Sequence, residues 1–266
     1  MKRVRWLGEH KKGDAAVRVG EREGGDLVVA WEGLGELVVA PDGSHHAFTP
    51  APDLDAAGAK KLERGVVRAL VRHLQGKLTL HGSAVALGGR AVVCVGPSGA
   101  GKSTLAALLV RAGGELLADD MTSLEVPRDP AAPVLVAPSE ETFSLDDASV
   151  EAVALPESDS ADVVNWEGKW LVPAARVAPA PRPLAAILSL SFGGQEPSVH
   201  ALRGLEVLAA LVPCVPRFPT DDRARHEVEL AQLEALARRQ LVRSLERPRD
   251  LASIDRTVSL VQRLAG

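Results

Sequence analysis

The run Gly96-Pro97-Ser98-Gly99-Ala100-Gly101-Lys102-Ser103, followed by Thr104, carries the most legible chemistry in the sequence. It matches the phosphate-loop pattern G-x-x-x-x-G-K-[ST] in full. Glycines at these spacings let consecutive backbone N–H groups turn inward around a polyphosphate. A helix beginning at Lys102 would add unsatisfied N–H groups and a positive dipole end. Lys102 is expected to reach the β- and γ-phosphates, and the Ser103 hydroxyl to be a ligand of Mg²⁺. The cradle would therefore comprise Gly96, Ser98, Gly99, Ala100, Gly101, Lys102, Ser103 and Thr104, and its ligand a nucleoside triphosphate, ATP, with Mg²⁺.

A phosphate loop alone does not separate a kinase from a motor, a transporter ATPase or a GTPase. The discriminating residues are Asp119 and Asp120, which close the apolar run Glu115-Leu116-Leu117-Ala118. An acid at the end of a neighbouring strand comes close to the γ-phosphate and its metal. One of the two could hold Mg²⁺ through water and the other accept a proton from an attacking hydroxyl. Alternatively Asp120 is a turn residue and a single acid is functional. His81 lies in an otherwise apolar strand, where it is either brought to the phosphate end of a sheet or held as a core histidine.

These residues need elements to hold them. Ala91-Val92-Val93-Cys94-Val95 reads as a strand feeding the loop, and Lys102 to Arg111 as the helix leaving it. Leu78 to Leu87, carrying His81, turns through Gly88-Gly89 into that strand. Thr122 to Val126 is expected to return antiparallel to the strand ending at Asp119. Ahead of this core, residues 1 to about 50 alternate short apolar runs with glycine and proline turns, the pattern of a small antiparallel sheet. Asp55 to Leu74 then switches to a helical period. Residues 127 to 183 are the least legible, with a strand expected at Val134-Leu135-Val136, a helix around Asp146 to Ala154 and an acidic loop over Glu157 to Asp162, and with Lys169 either a contact to phosphate or substrate or a solvated loop lysine. Leu184 to Phe192 and Leu241 to Glu246 read as strands, and Gly204 to Leu211, Arg223 to Arg239 and the segment from Leu251 as helices. Val228, Leu230, Leu233 and Leu236 are expected on or near one face of the second of these. The division expected is a β-rich domain with a bridging helix over 1–76 and a nucleotide-binding domain over 77–266.

Composition narrows the class. Hydrophobic content of 46% and charged content of 25% are those of an ordinary globular chain. A net charge of −4 gives no electrostatic case for nucleic acid or an anionic membrane as partner. No apolar run is long enough to cross a bilayer, and the basic start Met1-Lys2-Arg3 leads into no signal-peptide core. Cys94 and Cys214 both sit in apolar contexts, which favours buried free thiols and a cytoplasmic setting.

Leu80-His81-Gly82-Ser83-Ala84-Val85, the phosphate loop, and Leu116-Leu117-Ala118-Asp119-Asp120 together resemble the catalytic core of the HPr kinase/phosphorylase family. They are closer to its short bacterial relatives, some of which are serine kinases acting on ribosomal peptides. Val242 to Leu251 also resembles their terminal strand and helix. The resemblance implies an α/β fold with a P-loop core of the HPr kinase/phosphoenolpyruvate carboxykinase type, here behind a small N-terminal β-rich domain. It implies that His81 and Asp119 are catalytic, with Asp119 taking the proton from a substrate serine. Asp120 would border the metal and phosphates with Ser103. The first fifty residues are not the large regulatory domain of true HPr kinases, and their Glu-x-Arg-Gly signature is not found.

The expectation is an ATP- and Mg²⁺-dependent kinase acting on a hydroxyl of a peptide, small protein or small molecule. The rival is a regulatory ATP-binding or ATPase module of the same fold without an acceptor.

Overall fold

A computed structural model describes residues 3–12, 15–153, 163–166, 168–218, 220, 223–250 and 254–265. The acidic stretch Glu157 to Asp162 and the helix start at Leu251 lie outside the described residues. The chain divides into two compact units: Met1–Lys77 with Arg217–Glu229, and Leu78–Pro216 with Leu230–Gly266.

The first unit holds an antiparallel meander of β1 (Val4–Lys12), β2 (Ala15–Arg22), β3 (Leu27–Trp31), β4 (Gly35–Val39) and β5 (His46–Pro50). Val19, Val28, Val29, Leu37 and Val39 supply its buried apolar positions. Helices α1 (Ala56–Leu62) and α2 (Arg68–Leu74) follow, joined by a π-helical turn, and Asp55 caps the start by accepting from the Gly58 N–H at 2.8 Å.

In the second unit β6 (Leu78–Leu87) and β7 (Arg90–Val95) form the hairpin foreseen around Gly88-Gly89, and α3 (Lys102–Arg111) leaves the glycine loop. β7 runs parallel to β14 (Arg182–Phe192), and β14 runs parallel to β16 (Val242–Arg247). β6, β8 (Glu115–Ala118), β9 (Met121–Glu125), β10 (Leu135–Val136) and β15 (Ser198–Ala201) add antiparallel pairings, so the sheet is mixed. Residues along β7 alternate between two cores. Val92 and Cys94 face the cluster built with α3 and α7 (Ile254–Ala265). Val93 and Val95 face the cluster built with α5 (Leu205–Leu211) and the second half of α6 (Arg223–Arg238). The result is an α/β fold with helices on both faces of a mixed sheet. Of the four apolar residues named on α6, Leu233 and Leu236 are buried while Val228 and Leu230 are exposed, so the four do not share one buried face.

One expectation about strand direction fails. β8 and β9 do not pair with each other; both lie antiparallel to β6 along successive halves of it, Ala118 opposite Ala84 and Met121 opposite His81. The chain therefore continues in one direction through a break at Asp119-Asp120 and does not reverse. Asp120 has φ 71, the left-handed conformation, which makes the break.

A small sheet of β11 (Thr142–Leu145), β13 (Lys169–Pro173) and β12 (Val164–Trp166), with α4 (Asp147–Val153), covers the outer side of α3. Cys94 and Cys214 are free and buried, and burial pushes the Cys94 thiol up to about 12. Among the described residues no helix is long and apolar enough to cross a membrane.

Candidate functional site

β7, β14 and β16 are mutually parallel, so their carboxyl ends, Val95, Phe192 and Arg247, lie at one edge of the sheet. That edge is where open α/β sheets hold ligands. A cavity opens there, and the tip of the glycine loop with the first turn of α3 forms one wall of it: Ser98, Gly99, Gly101, Lys102, Ser103 and Thr104. His81 and Asp120 enter from β6 and the β8–β9 break. Every lining residue belongs to the second unit.

The loop conformation follows from its glycines. Gly101 has φ 78, and a Cβ placed there would collide with the Arg247 guanidinium. Gly96 has φ 142 and packs against the Leu190 carbonyl. Gly96 and Ala100 stand behind the cavity rim and do not line it: Gly96 presents its carbonyl to Lys102, and Ala100 joins the core.

Lys102 is 8% exposed. Its Nζ donates to the carbonyls of Gly96 at 3.0 Å and Pro97 at 3.1 Å. Burial holds its pKa below the usual lysine range, while Cys214, Asp119 and Asp120 pull the other way. The ammonium thus lies folded over the loop, within reach of whatever the loop amides bind.

The two acids have different surroundings. Asp119 is 0% exposed. Its Oδ1 accepts from the Ser83 hydroxyl at 2.5 Å and its Oδ2 from the Ser144 N–H at 2.8 Å, tying β8 to β6 and β11. Asp120 lines the cavity, and its Oδ2 accepts from the Ser144 hydroxyl at 3.2 Å. The left-handed turn at Asp120 swings the second carboxylate out of the strand, away from the direction that alternation would give it. The Asp120 carbonyl also accepts from the Gly82 N–H at 3.0 Å, which fixes the break beside His81.

His81 is half-buried, and burial together with Lys102 lowers its pKa; Asp120 and Asp119 oppose that shift. That direction favours the neutral imidazole, which can accept a proton or a hydrogen bond.

Several cavity residues were not singled out by sequence reasoning. Ser144 comes from β11, and Asp146 and Ser149 from the start of α4. Asp146 accepts from the Ser149 N–H at 2.8 Å as a helix cap, and hydrogen bonds from Ser149 lower its pKa. Ser149 in turn shares a 2.7 Å hydrogen bond with Thr104. Phe192, Arg247 and Arg249 line the cavity beside the glycine loop, and Lys169, which the sequence did mark, reaches it from β13. The S/D signal at Ser144, Asp146 and Ser149 is legible as a helix start, but nothing in its spacing connects it to a loop forty residues earlier.

No family model matches the chain, and no curated protein matches it. Among solved structures, the HPr(Ser) kinase/phosphatase from Coxiella burnetii matches 70% of this chain and 96% of its own, at 12% identity and a TM-score of 0.34. The likeness is distant.

Among the described residues no group of three or more His, Cys, Asp and Glu is placed to hold a metal ion. A Mg²⁺ ion carried by a nucleotide takes one or two protein ligands and completes its shell with phosphate and water. The cavity offers that smaller set in the Ser103 hydroxyl and the carboxylates of Asp120 and Asp146.

Proposed function

We propose that the chain is an HPr-kinase-like ATP- and Mg²⁺-dependent kinase that phosphorylates a hydroxyl, a serine above all, on a peptide, small protein or small molecule in the cytoplasm. The observation that carries this reading is that Lys102, Ser103, His81 and Asp120 line one cavity at the carboxyl ends of three parallel strands. A triphosphate-binding pattern on its own would be equally at home in an ATPase. A carboxylate and a neutral imidazole facing the same space supply what an acceptor hydroxyl needs.

In this reading the loop amides from Ser98 to Thr104 and the Lys102 ammonium grip the phosphates. Ser103 holds Mg²⁺, with Asp120 and Asp146 bordering its shell. The acceptor oxygen attacks the γ-phosphorus, the bond to the β–γ bridging oxygen breaks, ADP leaves, and the acceptor proton passes to a carboxylate. The resemblance in sequence implies Asp119 as that base. Its burial and its two hydrogen bonds favour Asp120 for the proton, with Asp119 as the residue that fixes the break and aims its neighbour. His81 would orient the acceptor or the transferred phosphoryl group.

The test is incubation of the protein with MgATP and serine-containing peptides, small proteins or hydroxylated metabolites, read by mass spectrometry for an added phosphate. Transfer that disappears in Asp120→Asn supports the reading. ATP binding with no transfer to any acceptor, and hydrolysis at most, would favour the regulatory module.

A further inference from the structure

Arg247 is a buried cation with no anion beside it among the described residues. It is 3% exposed, and its one side-chain hydrogen bond runs from Nη2 to the Ala100 carbonyl of the glycine loop at 3.0 Å. Its Nε is buried without a partner, and no carboxylate of the described residues forms an ion pair with it. Burial lowers its pKa, yet a guanidinium does not lose its proton in a protein. Buried charges of this kind are normally paired, because taking an uncompensated ion out of water is costly.

Its surroundings show what it faces. Phe192 and Arg247 are direct partners in the parallel β14–β16 ladder, which sets their side chains side by side. The guanidinium carbon lies 4.5 Å from the ring centroid of Phe192, and that of Arg249, two residues on, lies 4.9 Å from it. A stacked guanidinium is held flat, with its N–H fork directed edgewise. All three residues line the cavity that the glycine loop opens into. Four lysines and arginines (Lys102, Lys169, Arg247, Arg249) face that cavity against two carboxylates, Asp120 and Asp146. The surplus suits a polyanion, and a guanidinium fork matches phosphate oxygens in particular.

We propose that Arg247 and Arg249, shelved on Phe192 beside the glycine loop, form an arginine pair that grips the terminal phosphates of the nucleotide together with Lys102. This rests on the reading of residues 96–103 as a triphosphate cradle. It adds a second, separate source of charge on the same ligand, delivered by the last strand of the sheet. The alternative is that Arg247 is a strut, present only to hold the Ala100 carbonyl.

The two are separated by titrating the full chain with inorganic tripolyphosphate and with MgATP, alongside thermal melts. In Arg249→Gln, an exposed position, both probes should bind about tenfold more weakly, and in Arg247→Met about a hundredfold, the scale of lost hydrogen bonds to charged groups. Arg247→Met without ligand should melt at or above the wild-type temperature, because an unpaired buried charge has been replaced by an apolar chain of similar length. The pair is overturned if Arg249→Gln binds within about twofold of wild type. It is also overturned if Arg247→Met melts lower while its affinity for tripolyphosphate holds, the signature of a strut. Failure of the wild-type chain to bind either probe overturns the cradle and the pair together; wild-type binding with unchanged variants overturns the pair alone.

Discussion

Asp119 and Asp120 are consecutive in the chain, yet Asp119 is sealed in the core and Asp120 lines the cavity. Ser144 touches both, its N–H on the first at 2.8 Å and its hydroxyl on the second at 3.2 Å. One carboxylate therefore builds the wall and the other faces the cavity, and the two should respond differently to the same substitution.

Asp120→Asn should leave the melting temperature and ATP affinity close to wild type and lower phosphotransfer by about 10²- to 10⁴-fold, the usual worth of a general base. Asp119→Asn should instead destabilise the fold by about 1 to 3 kcal/mol, since two charge-assisted hydrogen bonds become neutral ones and the Ser83 hydroxyl must turn to accept from the new amide nitrogen. Denaturant midpoints and single-turnover rates for the two variants check this. Equal loss of turnover in an undisturbed Asp119→Asn would return the proton to Asp119.

The phosphate loop, its strand and its helix were legible because a motif and two hydrophobic periods coincide there. Lys102 to Arg111 is helical at both of the ends expected. That both acids reach Ser144 was not legible, because it depends on a left-handed residue at Asp120 that alternation cannot register. Ser144 and Asp146 arrive from a stretch rich in proline and small residues, where no period stands out. Arg247 falls one residue past the strand read over Leu241 to Glu246, and only the parallel register that pairs it with Phe192 brings it to the loop. Which strands become neighbours is decided by long-range packing, and a local pattern does not carry it.

His81 is predicted to make stability depend on pH. Its pKa is lowered by burial and by Lys102, so the folded chain binds fewer protons than the unfolded chain just below the free imidazole value of about 6.5. The contribution is complete above that value and is lost as pH falls through the lowered folded pKa. Melting temperatures measured from pH 7.5 downward should fall more steeply in wild type than in His81→Gln over about pH 7 to 5. Parallel curves would place the acid sensitivity elsewhere.

Gly101→Ala should be harmful beyond the loss of flexibility. A left-handed non-glycine residue costs about 1 to 2 kcal/mol, and the added methyl also displaces the Arg247 guanidinium. Denaturation should show at least that loss, with weaker ATP binding by the folded fraction. Gly99→Ala is the control: its φ is also 78, but nothing stands within 4 Å of the new methyl. The difference between the two variants isolates the collision, and identical behaviour would dismiss it.

Lys102 should make nucleotide affinity fall with rising pH earlier than an ordinary lysine would. Burial lowers its pKa below about 10.4, and only the ammonium form attracts phosphate. ATP titrations between pH 7 and 10 should show this decline in wild type and none in Lys102→Ala. A flat wild-type profile would mean that the ammonium does not touch the phosphates.

The central claim is that residues 96–103 hold a triphosphate, and isothermal titration of MgATP into the wild-type chain and Lys102→Ala tests it most directly. Saturable one-site binding is predicted for wild type, weakened by about tenfold or more when the ammonium is removed. No uptake by the wild-type chain, or equal uptake by both, would contradict it.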